Sequence, residues 1–496
     1  MIHRLGQTVD TILNRYTMYR VVLYGLLGLL ICAEVLALLG IITISASGLL
    51  ISTAALIISC SVANRILSWA FHAATNTESC LISALILACI LPPVTTLHQL
   101  GFICIAGSIA MATKYIIVLR GSHILNPVVA AAAFMGITGL LPATWWIATP
   151  ALIPVSVVLA LIVLRKQRKF TVFICFSLVA LGMLIFVGSG LNGQTAAVVL
   201  KNALLSWPII FFGSIMLDEP ATLPAKLYEQ LLYAILVGVI FASQLQVGPF
   251  ATTPEAALLI GNLFTAFFVP SMGVMLRLKR ITQIGPDIYD AAFERPKRPI
   301  IFTAGQYMEW TLPHPHTDSR GNRRIFSIAS SPTEQDIHIG FRHYIQSSSF
   351  KSALLAMQPG SSIRATHVAG EFVLPDNISQ PLLFIAGGIG ITPFRSMIQY
   401  LIDTKQRADV IVIYFARDQA DFAYKDVLQQ ARAVGVATHY IVGRPSHDIL
   451  QSIAPDLTKR LIYLSGPNAF IASCRALLRA MHVCKRSIKT DYFNGY

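Results

Sequence analysis

The chain has 496 residues, 55% of them hydrophobic and only 12% charged, with a mean hydropathy of +0.64 and a net charge of +14. Soluble globular chains carry about 25% charged residues, so intrinsic disorder and an ordinary soluble protein are both excluded. Residues 1–280 hold 15 Lys+Arg and 7 Asp+Glu, whereas residues 281–496 hold 23 and 17. The first part is expected in a lipid bilayer and the second in water. The positive excess is spread over both parts, which argues against a nucleic-acid surface. The eight Cys contain no CxxC pair, so neither an iron–sulfur cluster nor a disulfide framework is expected, and no metal site is assigned.

In chain order, apolar runs predict about ten spans, at 20–42, 46–63, 80–93, 99–119, 125–141, 145–164, 170–189, 195–217, 227–245 and 254–276. The runs at 80–93 and 125–141 are shorter than the roughly 20 residues of a perpendicular span, the length of broken or half-length helices. The first run lacks a cleavage site and reads as a retained anchor. Arg4, Arg15 and Arg20 precede the first run, and Arg65 follows the second. Further basic residues follow the fourth, sixth, eighth and tenth runs, the last group being Arg277, Lys279 and Arg280, while the intervening loops have none. By the positive-inside rule both termini are cytoplasmic. An integral membrane protein, in a bacterial inner membrane, is expected.

Three polar stretches interrupt this half: Ser122–Pro127, containing Asn126; Trp145–Pro150, containing Thr149; and Asp218–Pro224, containing Thr222. Irregular backbone at membrane depth needs protein or a water-filled cavity around it. Taken singly, Pro127, Pro220 and Pro224 end helices, and Trp145 and Trp146 form an interfacial belt. Together, "HILNPVVAAAAF", "ATP" and "IMLDEPATLP" resemble the NqrB/RnfD family, the flavin-binding membrane subunits of the sodium-translocating NADH:quinone reductase and of the Rnf complex. That resemblance implies inverted five-helix repeats around flavins, FMN or riboflavin, one toward each face. Asn126, Asp218 and Thr222 would hold the inner flavin and Thr149 the outer one. The family's flavinylation signal has an Asp, then Ser or Gly, before Ala-Thr. Here Trp145-Trp146-Ile147 precedes Ala148-Thr149, so the outer flavin is expected to be non-covalent.

Residues 281–379 alternate apolar and polar positions between turn residues, as in "RPIIFTAGQYMEWTL" and "DIHIGFRHY", the pattern of an antiparallel β-barrel. Within it, Arg324 suits a pyrophosphate, Phe326 an aromatic ring face and Ser327 a polar ring edge. Residues 380–496 place the apolar run "PLLFIA" before Gly387-Gly388-Ile389-Gly390-Ile391-Thr392-Pro393 and a helix. Glycines there let the backbone approach a pyrophosphate at a helix start. "VIVIYFA" and "LIYLSGP" supply further buried strands of a parallel α/β sheet.

This half is similar to the ferredoxin–NADP reductase family over its whole length, through "AGQYMEW", "RIFSIASSP", "SSSFKSALLAMQPG", "AGEFVLP", "AGGIGITP", "YLSGPNAFI" and "IKTDYFNGY". The resemblance implies FAD held by Arg324, Phe326, Ser327, Ser348 and Ser349, with a C-terminal aromatic, Phe493 (or Tyr492 or Tyr496), over the flavin. It implies NAD(P)H held by Gly387, Gly388, Gly390, Thr392, Pro393, Gly466 and Pro467. Ser465 stands where the family often has Cys, so a thiol role there is lost. Arg417, in Ala416-Arg417-Asp418, is the candidate for a 2′-phosphate, while Asp418 suits the ribose of NADH.

The expected function is electron transfer from cytoplasmic NAD(P)H through FAD to a membrane flavin. The electrons then reach a quinone, an external flavoprotein, ferric iron or oxygen. A haem-bearing ferric reductase or NADPH oxidase is the first alternative. Each haem needs two axial ligands, however, and beyond His3 the membrane half has only His72, His98 and His123. A transporter regulated by a reductase domain is the second, with Glu34, Glu255 and Lys201 in or near spans.

Overall fold

The structure is a computed structural model. It describes residues 13, 16–71, 77–119, 122–167, 169–219, 223–224, 227–247, 250–268, 273–296, 300–315, 317–318, 322–344 and 347–491. The chain forms two compact units, one reaching Met272 and the other running from Gly273 to Phe493.

The first unit is helical: α1 Met18–Leu38, α2 Ala46–Ala70, α3 Thr77–Ile90, α4 Leu97–Ile116, α5 Pro127–Ile137, α6 Pro150–Gln167, α7 Phe170–Leu191, α8 Ala196–Ser206, α9 Ile209–Met216, α10 Leu227–Ala242 and α11 Pro254–Phe268. Each expected run contains a helix, but among the described residues only α1, α2, α4, α6 and α7 are long and apolar enough to cross a membrane. The bent pair α8 and α9, meeting at 60°, makes a sixth candidate. The runs at 80–93 and 125–141 form short helices, as expected, and ten spans are not shown among the described residues. The 14, 11 and 16 residues of α3, α5 and α10 give helices of about 21, 17 and 24 Å, short of a hydrocarbon core of about 30 Å.

Polar residues set several of these ends. Thr17, Ser45 and Thr96 accept backbone N–H bonds at the starts of α1, α2 and α4. Asn126 does so for α5, where Pro127 occupies the first turn and has no N–H to satisfy. Gly107 permits close packing of α4 on α2, since a Cβ there would lie 2.3 Å from Ser59 Oγ. Two expected flanking groups move. Arg65 lies inside α2, and Arg277, Lys279 and Arg280 lie on a strand of the second unit.

That second unit holds two sheets. The first is antiparallel, with β1 Val274–Gln283, β2 Ile288–Glu294, β3 Tyr307–Thr311, β4 Arg323–Ser327, β5 Asp336–Arg342 and β6 Ser362–Ala369 in the order β4-β3-β6-β1-β2-β5. Period-two alternation turns Leu276, Leu278, Ala291, Phe293, Ile337, Ile339 and Phe341 into one core. The second sheet is parallel, with β7 Leu382–Gly387, β8 Val410–Ala416, β9 Val436–Val442, β10 Leu461–Ser465 and β11 Ile488–Thr490 in the order β9-β8-β7-β10-β11. Central β7 is buried at all six residues, because apolar cores lie on both faces of this sheet.

Candidate active site

All five strands of the second sheet point one way, so their carboxyl ends line a single edge, where α/β sheets bind ligands. Gly387 ends β7 and leads through the tight turn Gly388–Ile391 into α12 Thr392–Asp403. Ala416 ends β8 before exposed Arg417, and Ser465 ends β10 before Gly466 and Pro467. The fold thus brings Gly387, Gly388, Gly390, Thr392, Pro393, Arg417, Gly466 and Pro467 to one edge. Sequence reasoning missed exposed Arg444, two residues beyond β9 at the same edge. Its only signal is a basic residue just after a strand-like run.

The glycines serve different ends. At Gly390 a Cβ would lie 2.5 Å from the Ser465 carbonyl, and at Gly387 it would meet the Phe470 ring at 2.7 Å. Those two are required by packing within the protein. Gly388 has φ +56° and nothing within 4 Å of where a Cβ would stand. It is the position that offers open backbone to a ligand.

On the antiparallel sheet, the Arg324 side chain is buried, stacks over Phe350 at 5.4 Å and reaches Asp318 Oδ1 at 3.4 Å. Both candidate serines have internal partners. Ser348 Oγ accepts from Lys351 N at 3.4 Å. Ser349 Oγ lies 2.9 Å from His314 Nε2 and accepts from Asp318 N at 2.9 Å. The Ser349 hydroxyl therefore orders the loop whose Asp318 holds Arg324. Phe493 lies outside the described residues.

Ser327, at the end of β4, is 6% exposed. Its hydroxyl donates to Asp491 Oδ2 at 3.4 Å, and Ser465 Oγ donates to the same oxygen at 3.1 Å. One carboxyl thus joins the ends of β4, β10 and β11. Burial pushes Asp491 up to about 7, against the lowering effect of the two serine hydroxyls. Tyr307, paired with Ser327 across β3 and β4, is also raised, first by burial and then by Asp491. Asp491 belongs to the terminal "IKTDYFNGY" motif, in which nothing local marks it for a role. Arg324, Phe326, Ser327 and the buried Asp491 carboxyl form a set that fits FAD: a cation for its pyrophosphate, and hydroxyls with a protonatable group for a ring edge.

In the first unit, Asn126 Oδ1 accepts from Val128 N and Val129 N, while Asn126 N donates to Asn262 Oδ1 at 2.8 Å. Asn262, fully buried on α11, meets Tyr233 OH at 3.5 Å, and Tyr233 OH meets the Leu217 carbonyl at 3.5 Å. Asn126 is thereby linked to the backbone beside Asp218. Asp218 is itself fully buried, and neither carboxylate oxygen has a hydrogen-bond partner among the described residues. It follows the π-helical turn Phe212–Met216, an irregularity frequent at functional sites. Asn262 and Tyr233 were missed because single polar residues in apolar runs carry no spacing signal. Thr222 lies outside the described residues.

Thr149 Oγ1 is also buried without a hydrogen-bond partner among the described residues. Trp145 and Trp146 do not form an exposed belt. Both are buried, with Trp145 Nε1 donating to Glu255 Oε1 at 2.6 Å and Trp146 Nε1 to the Ala88 and Leu91 carbonyls at 3.0 Å each. Trp145 takes a left-handed backbone, φ 49°. An indole N–H buried in an apolar unit needs an acceptor, and Glu255 supplies one.

Residues 384–476 match the family of oxidoreductase NAD-binding domains. The chain is 28% identical over 207 residues to ferredoxin–NADP reductase B of Sorangium cellulosum, covering 39% of this chain and 84% of that protein. To the NADH oxidoreductase HCR of Escherichia coli it is 25% identical over 224 residues, covering 44% and 67%. Among solved structures, the Amycolatopsis cytochrome P450 reductase GcoB is similar with a TM-score of 0.40 and 20% identity, covering 45% of this chain and 70% of that one. The C-terminal part is thus a ferredoxin–NADP reductase-like module, and the chain is an NAD(P)H-dependent flavin oxidoreductase.

Proposed function

We propose that the protein carries electrons from NAD(P)H through FAD into its helical unit and on to a quinone or an acceptor across a membrane. The observation that carries this reading is the fusion itself: a reductase module shares a chain with apolar helices that enclose Asp218, a buried carboxyl with no hydrogen-bond partner among the described residues. Leaving such a group unpaired costs about 1–3 kcal/mol or more, a cost retained where function demands it. FAD, when bound, accepts a hydride and releases single electrons.

The protein's own residues have separable tasks in this reading. Gly388 offers its backbone, and Arg417 or Arg444 a charge, to the nucleotide. Arg324 binds the pyrophosphate of FAD, and Phe326 lies against an aromatic ring. Ser327 and Asp491 hold or exchange a proton at the polar edge of the ring. In the helical unit, Asn126 and Asp218, with Thr222, would receive an inner flavin, FMN or riboflavin, and Thr149 an outer one. The lack of a hydrogen-bond partner for Asp218 and Thr149 Oγ1 among the described residues supports both assignments.

The test is flavin analysis of the intact protein before and after acid precipitation, alongside NAD(P)H-dependent reduction of ferricyanide. FAD and at least one further flavin per chain, all released by acid, are expected. A single flavin by every assay would overturn the membrane path while leaving the reductase standing.

A further inference from the structure

We infer that the reductase module has a second ligand site, for a small oxyanion of the phosphate or carboxylate class, between the antiparallel sheet and the loop after β8. A cleft of about 500 Å³ opens there, lined by Arg280 of β1, Asp290 of β2, His338 of β5, Tyr424 of the loop and Lys425 at the start of the helix that follows it. That volume suits a small molecule. The strand register explains why these residues meet. Arg280 pairs with Ala292, and Ala292 with His338, so the two basic residues flank a small one across three strands.

Three observations mark this as a prepared site. His338 Nδ1 lies 2.6 Å from Asp290 Oδ2. That carboxylate fixes the ring and leaves Nε2, which has no protein partner among the described residues, toward the cleft. Tyr424 donates to the other oxygen of Asp290 at 2.7 Å, from a left-handed backbone, φ 56°, that a bulky residue adopts only at a cost. Arg280 and Lys425 form no ion pair among the described residues; Lys425 donates to the Gln419 carbonyl at 3.3 Å and lies over the Phe422 ring. The remaining charges are accounted for: Arg395 is paired with Glu334, Asp290 is held by His338 and Tyr424, and Asp426 sits exposed on the rim.

An oxyanion here accepts from Arg280 and Lys425, with the imidazole Nε2 of His338 beside it. The cleft lies beside the loop that leaves β8, a few residues beyond Arg417.

The experiment is calorimetric titration of the full-length protein in detergent with inorganic pyrophosphate and, separately, citrate, with saturating NADPH present to fill the nucleotide site. Binding is expected, weaker by about tenfold or more in Arg280→Gln and in His338→Gln. FAD content should be unchanged in both variants. The preferred anion identifies the ligand class. No binding of either anion, or binding unaltered by both variants, would overturn the site. Loss of FAD would instead report misfolding, and Lys425→Gln, at the first residue of the helix Lys425–Gln430, then supplies the same comparison.

Discussion

Asp491 accepts a hydrogen bond from Ser327 at 3.4 Å, although the two residues are 164 positions apart in sequence. Ser327 ends an antiparallel strand and Asp491 follows the last parallel strand, so this bond exists only once both sheets are formed and docked.

Its titration predicts a pH dependence of stability. Burial raises Asp491 from the usual carboxylate range to about 7. The folded state therefore binds a proton more tightly than the unfolded state, and stability falls as pH rises from about 4 to about 7. Asp491→Asn should remove that loss, by up to about 4 kcal/mol above pH 7 and by nothing below pH 4. Thermal melts of both proteins at pH 4.5 and 8 measure it; parallel melting curves at the two pH values would refute the assignment. In ferricyanide reduction the same variant should lose the pH dependence near neutrality.

Arg324 is expected to anchor FAD. Arg324→Ala removes a buried charge-assisted donor worth about 1.5–3 kcal/mol, so FAD should bind about 10- to 100-fold more weakly. Fluorescence titration of the FAD-stripped protein reads this directly. Undiminished affinity would detach Arg324 from the pyrophosphate.

The two glycines of one turn should respond differently. Gly390→Ala drives a Cβ into the Ser465 backbone and should destabilise the module by several kcal/mol, comparable with overpacking a core. Gly388→Ala meets nothing, so its stability cost should be about 1–2 kcal/mol from the left-handed backbone. Its main effect should be a raised KM for NAD(P)H. Equal loss of stability in both variants would contradict this division.

Asp218 is predicted to trade stability for function. Replacing a buried, unpartnered carboxyl by an apolar group of similar size is often neutral or stabilising by about 1–4 kcal/mol. Asp218→Leu should therefore leave the thermal midpoint unchanged or higher while lowering the number of flavins per chain. A variant that melts earlier and keeps every flavin would mark Asp218 as structural.

Thr149 carries the covalency prediction. Its hydroxyl oxygen is buried and the family's attachment signal is incomplete, so the denatured full-length protein should give no in-gel flavin fluorescence. A fluorescent band lost on Thr149→Ala would reverse that expectation.

The broad division of the chain was legible in the sequence because it depends on composition: few charges in the first 280 residues and many in the rest. Period-two alternation likewise marked strands such as β5, and the Gly387–Pro393 turn stood out because glycine is a local backbone requirement. Pro127, by contrast, was expected to end a helix, and it instead starts α5 behind the Asn126 cap.

Contacts between distant segments were decided only by tertiary structure. Nothing in the local sequence pairs Trp145 with Glu255, or links Asn126 through Asn262 and Tyr233 to the backbone beside Asp218. Run length did mark 80–93 and 125–141 as short, but hydropathy did not foretell the 16-residue α10 within the run 227–245. Composition and periodicity act residue by residue along the chain, and they determined which segments are apolar, extended or turning. The partners of a buried polar group depend on which helices and strands dock, and docking alone brought Ser327, Ser465 and Asp491 to one oxygen.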